Sequence, residues 1–87
     1  MIKYISFDNS IVDAAVLEEK LRLVCCSVYK NGQDQFFVNY QGSCHSLYDN
    51  IAPIVGEKNI LLLGFDEDDY WGYQDKALWE WIKQNKS

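Results

Sequence analysis

The sequence lacks the local signatures of catalysis that depend on fixed spacing. No glycine-rich phosphate loop is present, because the five glycines are isolated from one another: Gly32, Gly42, Gly56, Gly64 and Gly72. Four acids in a row also lack the asymmetry of a hydrolytic carboxylate pair, in which one pKa is raised in an apolar pocket. We therefore expect no enzyme and no bound cofactor.

Cysteine and histidine are too few, and wrongly spaced, for a metal or nucleophile site. The only adjacent thiol and imidazole belong to Cys44 and His45, and neighbours on an extended segment point to opposite faces. Together with Cys44 and His45, the residues Cys25 and Cys26 would give four zinc ligands by count. As neighbours on a strand, however, Cys25 and Cys26 would point to opposite faces and could not bind one ion. The prediction is packing cysteines, a solvent-facing loop histidine and no metal.

The sequence also lacks an apolar leader and a membrane span. The first residues, MIKYISFDNS, contain no signal-peptide core, and no run approaches the roughly 18 apolar residues of a spanning helix. Its three cysteines are an odd number, which is typical of reduced proteins. We expect a cytoplasmic protein that does not bind membranes.

Basic residues are scarce and scattered. Nucleic-acid binding and anionic membranes need clustered lysine and arginine, and the eight bases stand singly: Lys3, Lys20, Arg22, Lys30, Lys58, Lys76, Lys83 and Lys86. The net charge is -5, from 8 basic and 13 acidic residues. Without the acidic run at residues 66–69, 8 bases would face 9 acids, so the acidity is local.

Apolar residues are plentiful enough for one compact domain over residues 1–87. The chain is 48% hydrophobic and 15% aromatic, and each buried ring adds a large apolar area to a small core. Ile2–Phe7 has the β-branched and aromatic composition of a strand. A helix over residues 11–21, capped by Asn9 or Ser10, should bury a stripe of Val12, Ala15, Val16 and Leu17. Whether this helix continues through Val24 stays open.

Asn31-Gly32 predicts a type I′ hairpin in the middle of the chain. If Lys30 pairs with Gln33, one face of the hairpin is apolar and carries Leu23, Cys25, Phe36, Val38 and Tyr40.

A short helix should follow, opened by Ser46 and Asp49 and ended or broken by Pro53 and Gly56. The apolar run at residues 59–65 predicts a central strand buried on both faces. A final helix should bury Ala77, Leu78, Trp81 and Ile82, with Lys76, Glu80 and Lys83 outward. The order β-α-β-β-α-β-α predicts an α+β fold with about four mostly antiparallel strands.

The most distinctive segment is GFDEDDYWGY at residues 64–73. It does not match a calcium loop, because counting from Asp66 places Trp71 and Ala77 where glycine and glutamate belong. Clustered carboxylates attract a basic protein over distance, and aromatic side chains then anchor it. The predicted partner-binding residues are Asp66, Glu67, Asp68, Asp69, Tyr70, Trp71, Tyr73 and Asp75.

A small acidic chain with acids beside a Tyr/Trp cluster resembles, by type, the immunity proteins that neutralise bacteriocin or contact-dependent growth-inhibition nuclease toxins. The resemblance covers composition and residues 66–75. It implies a basic partner, a nuclease toxin domain, and no direct contact with nucleic acid. The colicin DNase immunity proteins are all-helical, so their residues do not align with this α+β chain. The alternatives are a phage-encoded anti-restriction or anti-CRISPR inhibitor and a small structural or accessory subunit.

Overall fold

The computed structural model describes residues 1–57, 59–65 and 71–86. Within them the chain forms four strands and three helices in the predicted order. These are β1 (Ile2–Phe7), α1 (Ala14–Val24), β2 (Ser27–Lys30), β3 (Gln35–Asn39), α2 (Cys44–Val55), β4 (Ile60–Gly64) and α3 (Lys76–Asn85). The α+β prediction is therefore confirmed.

The sheet has the strand order β2-β3-β1-β4, and every neighbouring pair is antiparallel. β1 and β3 occupy the centre, where Tyr4 lies opposite Phe37 and Ile5 opposite Phe36. Of the described strands, β1 is the only partner of β4, which forms one edge of the sheet with Leu63 opposite Tyr4. The first strand was predicted with the correct bounds.

The central position predicted for residues 59–65 is wrong. β4 is an edge strand, and Leu61 and Leu63 remain half exposed on one of its faces. Ile60 and Leu62 pack against the core on the other face. An apolar run shows that a strand can be buried on both sides, but its burial depends on which elements cover it.

The first helix begins later than predicted and runs to Val24, which answers the open question about its end. Asp13 is the N-cap, and its side chain accepts hydrogen bonds from the amides of Ala15 and Val16. Ser10 does not cap the helix, because its amide and hydroxyl both donate to Oδ1 of Asp8, at 2.9 and 2.6 Å. The hydroxyl bond is the main cause that lowers the pKa of Asp8.

The predicted apolar stripe of α1 is also misplaced. Leu17 and Leu21 are the buried residues of the helix, whereas Ala15 and Val16 are exposed. Val12 is buried, but it precedes the helix. Of the predicted stripe, Leu17 is buried within the helix, and Leu21, four residues later, shares its face.

The predicted hairpin register is wrong. Lys30 lies opposite Phe36, not Gln33, and Ser27 lies opposite Asn39. The amide of Asn31 donates to the carbonyl of Gln35 at 2.9 Å, so that the loop has three residues, including Gly32 at a φ of 76°. A shift of three residues turns each β2 side chain to the opposite face.

As a result, Val28 faces the core with Phe36 and Val38. Leu23, expected on the apolar hairpin face, lies in α1 and is exposed. Cys25 is the C-cap of α1, and Tyr40 packs against the core just after β3.

α2 begins at Cys44, three residues before the start that a cap at Ser46 would give. The Ser43 hydroxyl accepts from the Ser46 amide at 3.1 Å and so caps the helix. Pro53 neither ends nor breaks the helix, which continues to Val55 and ends at Gly56, at a φ of 57°. The proline removes one backbone donor near the helix end, and packing of Leu47, Ile51 and Val55 compensates for that loss.

The two faces of the sheet differ. The closed face is the one that packs against α1 and α2, and together they form a continuous core of Ile5, Phe7, Val12, Leu17, Leu21, Val28, Phe36, Val38, Leu47, Ile51 and Val55. Among the described elements, α3 is the one that packs on the open face, and the buried residues there are Ile2 of β1 with Leu78 and Ile82 of α3. In the described part of the chain, no helix is long and apolar enough to cross a membrane.

Candidate functional site: an aromatic groove on the open face

A groove of about 510 Å³ lies on the open face, between the sheet and α3. The sheet contributes the aromatic rings of Tyr4 and Phe37, β4 contributes Leu63, and α3 contributes Trp79. Phe65 and Trp71 complete the aromatic lining. Apolar concave surfaces of this size, lined by rings, are the usual form of ligand and partner sites.

The groove exists because α3 is held over the β2 side of the sheet. Nε1 of Trp81 donates to the Ser27 hydroxyl at 2.9 Å, and its ring lies 6.1 Å from the ring of Tyr29. Nearer the end of α3, the side-chain Nδ2 of Asn39 donates a hydrogen bond to Oδ1 of Asn85 at 3.2 Å. These contacts place the helix over β2 and the Ile2 end of β1, where Ile2 packs with Leu78 and Ile82, and they leave Leu61 and Leu63 of β4 half exposed.

Phe37 organises the floor of the groove. Its ring centroid lies 5.2 Å from that of Tyr4 and 6.2 Å from that of Phe65, the second pair at 90°. Edge-to-face and tilted pairs of this kind are the favoured arrangements of aromatic rings. The floor is therefore a surface of mutually packed aromatic rings.

Trp71 and Tyr73 are far more exposed than the rings of the floor. Their exposed fractions are 83% and 87%, and their rings contact each other edge-on at 5.1 Å between centroids. Trp71 also lines the groove. Two of the predicted partner-binding residues thus form a pair of exposed rings at the groove margin.

Asp75 lies at the start of α3 as its N-cap residue. Its side chain makes no capping hydrogen bond, and the residue is exposed. The carboxylate is therefore not engaged in holding the helix end.

The other predicted residues, Asp66, Glu67, Asp68, Asp69 and Tyr70, lie outside the described residues. The residues that flank them in the sequence are Phe65 and Trp71, and both line the groove.

Sequence reasoning missed Leu61 and Leu63, whose exposed fractions are 51% and 48%. Both lie on the open face of the edge strand, and Leu63 lines the groove. No local signal distinguishes them from core residues, because the run ILLLG reads as buried on both sides. Their exposure follows from where α3 lies.

Cys44 and His45 lie in the first turn of α2, not in a loop as predicted. The His45 side chain is exposed, and its Nδ1 lies 3.4 Å from a carboxylate oxygen of Asp49. Cys44 is half-buried. Over residues 1–57, 59–65 and 71–86, no three His, Cys, Asp or Glu side chains are grouped to hold a metal.

No family model, curated protein or solved structure matches the chain.

Proposed function

We propose that this protein is an inhibitor that binds and neutralises a basic protein, in the manner of an immunity protein that blocks a nuclease toxin. The observation that carries the proposal is the pair of exposed rings, Trp71 and Tyr73, at an aromatic groove. In the sequence, only Tyr70 separates Trp71 from four consecutive acids. The proposed binding surface, the acidic–aromatic surface, comprises this groove, the two rings, Asp75 and the acidic run.

The aromatic part supplies affinity. An isolated soluble protein gains nothing from holding a tryptophan 83% exposed and a tyrosine 87% exposed beside each other. A partner that covers them gains the large apolar area of both rings, and such anchors dominate binding energy at interfaces. Their mutual contact also limits the rotamer freedom that binding would otherwise remove.

The acidic part supplies attraction and orientation. Four of the 13 acids are contiguous, and the rest of the chain is nearly neutral. A basic partner therefore experiences a directed field that raises the association rate and weakens as salt screens it. A nuclease domain, which must hold phosphates, has the basic surface that this arrangement would attract.

A second candidate is an accessory subunit of a complex, and one observation favours it. Leu61 and Leu63 extend the exposed apolar area beyond Trp71 and Tyr73. Salt separates the two candidates: association with a basic toxin should weaken strongly between 50 and 500 mM salt, whereas an apolar obligate interface should not.

The test is capture of the partner from the host lysate, followed by kinetics and a nuclease assay with the purified partner. Support requires a basic nuclease whose activity this chain abolishes. A restriction or CRISPR component would instead support the phage inhibitor, and a non-basic complex would support the accessory subunit.

Two variants and two matched controls test the surface itself. Trp71→Ala should raise Kd about 30-fold or more through faster dissociation. Leu23→Ala truncates a comparably exposed side chain on α1 and should change nothing. Asp68→Ser with Asp69→Ser should slow association at low salt, whereas Glu19→Ser with Asp49→Ser removes the same charge from α1 and α2 with a smaller effect. Equal effects of variants and controls would refute the surface.

A further inference from the structure

The edge of β4 presents a regular row of backbone groups to the outside of the sheet. In antiparallel pairs, hydrogen-bonded and non-hydrogen-bonded residue pairs alternate. The amide of Asp8 donates to the carbonyl of Asn59 at 3.3 Å, which makes these two residues a hydrogen-bonded pair. The alternation then gives Leu61 and Leu63 their partners on β1, Ser6 and Tyr4.

The remaining residues of β4 are Ile60, Leu62 and Gly64, and their amides and carbonyls point away from β1. No other described strand pairs with β4, and no described backbone group bonds to these three. The outward groups therefore match the spacing of a further strand.

The opposite edge of the same sheet is protected, which makes the β4 edge informative. β2 has only four residues, ends in Lys30, and is held under α3 by the Trp81–Ser27 hydrogen bond. Short length, charge and cover are the usual means of blocking edge-to-edge pairing. β4, with the sequence ILLLG, contains no charge and no proline.

We propose that the β4 edge is a docking site for an extended segment of the basic partner, which joins the sheet as a fifth strand. This inference rests on the proposed function, since it describes how the same partner is held. Backbone hydrogen bonds to Ile60, Leu62 and Gly64 would provide register, as in other complexes formed by strand addition.

The side chains around the edge define the chemistry of that segment. Alternate residues of an added strand lie on the open face beside Leu61 and Leu63, whose exposure leaves room for apolar contacts. The acidic run follows β4 after a single residue, Phe65, and so favours lysine or arginine in the segment. The segment should therefore combine apolar residues at alternate positions with basic residues between or beyond them.

The same charge disfavours a second copy of this chain as the occupant. Two copies joined through β4 would bring together two molecules of net charge -5. A basic segment reduces the charge instead. The charge of the chain therefore favours a strand from a different, basic protein over a strand from a second copy.

Amide hydrogen exchange measured by NMR tests the proposal on the unmodified chain. The probe is a seven-residue peptide that alternates valine with lysine, and the controls replace its lysines by glutamate or N-methylate its valines. In the free chain, the amides of Leu61 and Leu63 should exchange slowly and those of Ile60, Leu62 and Gly64 quickly. The lysine peptide should slow the exchange of the second set at least about tenfold, and both control peptides should do so far less.

Three results would overturn the proposal: no change up to millimolar lysine peptide, equal effects of all three peptides, or concentration-dependent protection of the second set without peptide. The last result would show that a second copy covers the edge.

Gly64 offers a matched pair of variants. Gly64→Pro removes one outward amide and no side chain, and should weaken peptide binding about 2- to 10-fold. Gly64→Ala keeps that amide and should therefore weaken peptide binding less than Gly64→Pro does. A Cβ at this position meets only the flexible end of Lys3, whose Nζ would lie 3.1 Å away, so either variant is accommodated by a small movement. Equal affinities of the two variants would argue against strand addition, and the exchange experiment decides the matter if Gly64→Pro fails to fold.

The outcomes also separate this inference from the proposed function. If a basic nuclease is bound and inhibited but the amides of Ile60, Leu62 and Gly64 stay unprotected in the complex, strand addition is wrong and the inhibitor assignment survives. If the lysine peptide protects those amides but no basic protein is bound, the edge site is retained and the inhibitor assignment fails.

Discussion

The closed and open faces of this sheet carry similar apolar residues but differ in how far these residues are buried. On the closed face, two helices bury a continuous aliphatic and aromatic core. On the open face, one helix covers the β2 side and leaves rings and leucines accessible along β1 and β4. One face is thus closed by a continuous core, whereas the other keeps apolar side chains exposed, and the proposed partner would bind there.

Adjacent phenylalanines provide the sharpest test of that division. Phe36 is fully buried in the closed core and stacks on Phe7 at 5.6 Å, whereas Phe37 is half-buried in the groove floor. Phe36→Ala should cost about 3–5 kcal/mol of unfolding free energy, and Phe37→Ala about half as much. Urea unfolding followed by circular dichroism gives both values. Equal costs would show that the open face is as important to stability as the closed one.

Two aspartates at helix starts extend the test to the surface. Asp13 caps α1 through two amides, at 2.9 and 3.3 Å, while Asp75 at the start of α3 makes no capping hydrogen bond. We expect Asp13→Ala to cost about 1 kcal/mol of unfolding free energy and Asp75→Ala less than about 0.5 kcal/mol. In contrast, Asp75→Ala should weaken association with a basic partner at low salt, and Asp13→Ala should not. If Asp75→Ala cost more unfolding free energy than Asp13→Ala, or if Asp13→Ala weakened association more than Asp75→Ala, the proposed difference between the two surfaces would be wrong.

The elements that the sequence predicts well are those with local causes. Ile2–Phe7 is bounded by its own composition. In α3, Leu78 and Ile82 of the predicted stripe are buried at helical spacing, whereas Ala77 is exposed, contrary to the prediction, and Trp81 is half-buried. The sequence could not show that Asp13, rather than Ser10, is the N-cap of α1. Ser10 is excluded as the cap because its hydroxyl donates to Asp8, and no local pattern predicts that hydrogen bond. Hairpin register failed for a related reason: Asn31-Gly32 fits a two-residue turn, but the Val28 and Val38 packing selects a longer loop.

The candidate site was predictable only in part. The sequence singled out Trp71, Tyr73 and Asp75 by their composition and neighbours. It could not identify a groove whose lining comes from β1, β3, β4 and α3, because no local pattern relates Tyr4 to Phe37 or Trp79. Nor could it predict that Leu61 and Leu63 are exposed, because their accessibility depends on where α3 lies. Trp81 anchors α3 to Ser27 of β2, 54 residues away in the sequence.

Two adjacent cysteines give the smallest effect and still distinguish the closed core from the surface. Cys25 packs against the closed core, and its burial, reinforced by the neighbouring Cys26, raises the pKa of the Cys25 thiol to about 11. Cys26 is exposed. At pH 8 only about one part in a thousand of the Cys25 thiol is then ionised. Because the thiolate is the reactive form, iodoacetamide should label Cys26 at least about tenfold faster, as mass spectrometry of peptides would show. Comparable rates would mean that the closed core opens readily at the end of α1.

The same thiol should produce a small pH dependence of stability. Because the folded pKa of Cys25 lies above the ordinary value of 9.0, the folded chain retains a proton that the unfolded chain loses first. Its contribution to stability is therefore complete below pH 9 and is lost as the pH rises through about 11. Other groups titrate in this range, so the measurement is the difference in unfolding free energy between the parent chain and Cys25→Ala, taken at pH 8 and at pH 10.5. That difference should fall at the higher pH, because the parent alone loses stability through this thiol. A difference that stays constant with pH would place Cys25 in water rather than against the closed core.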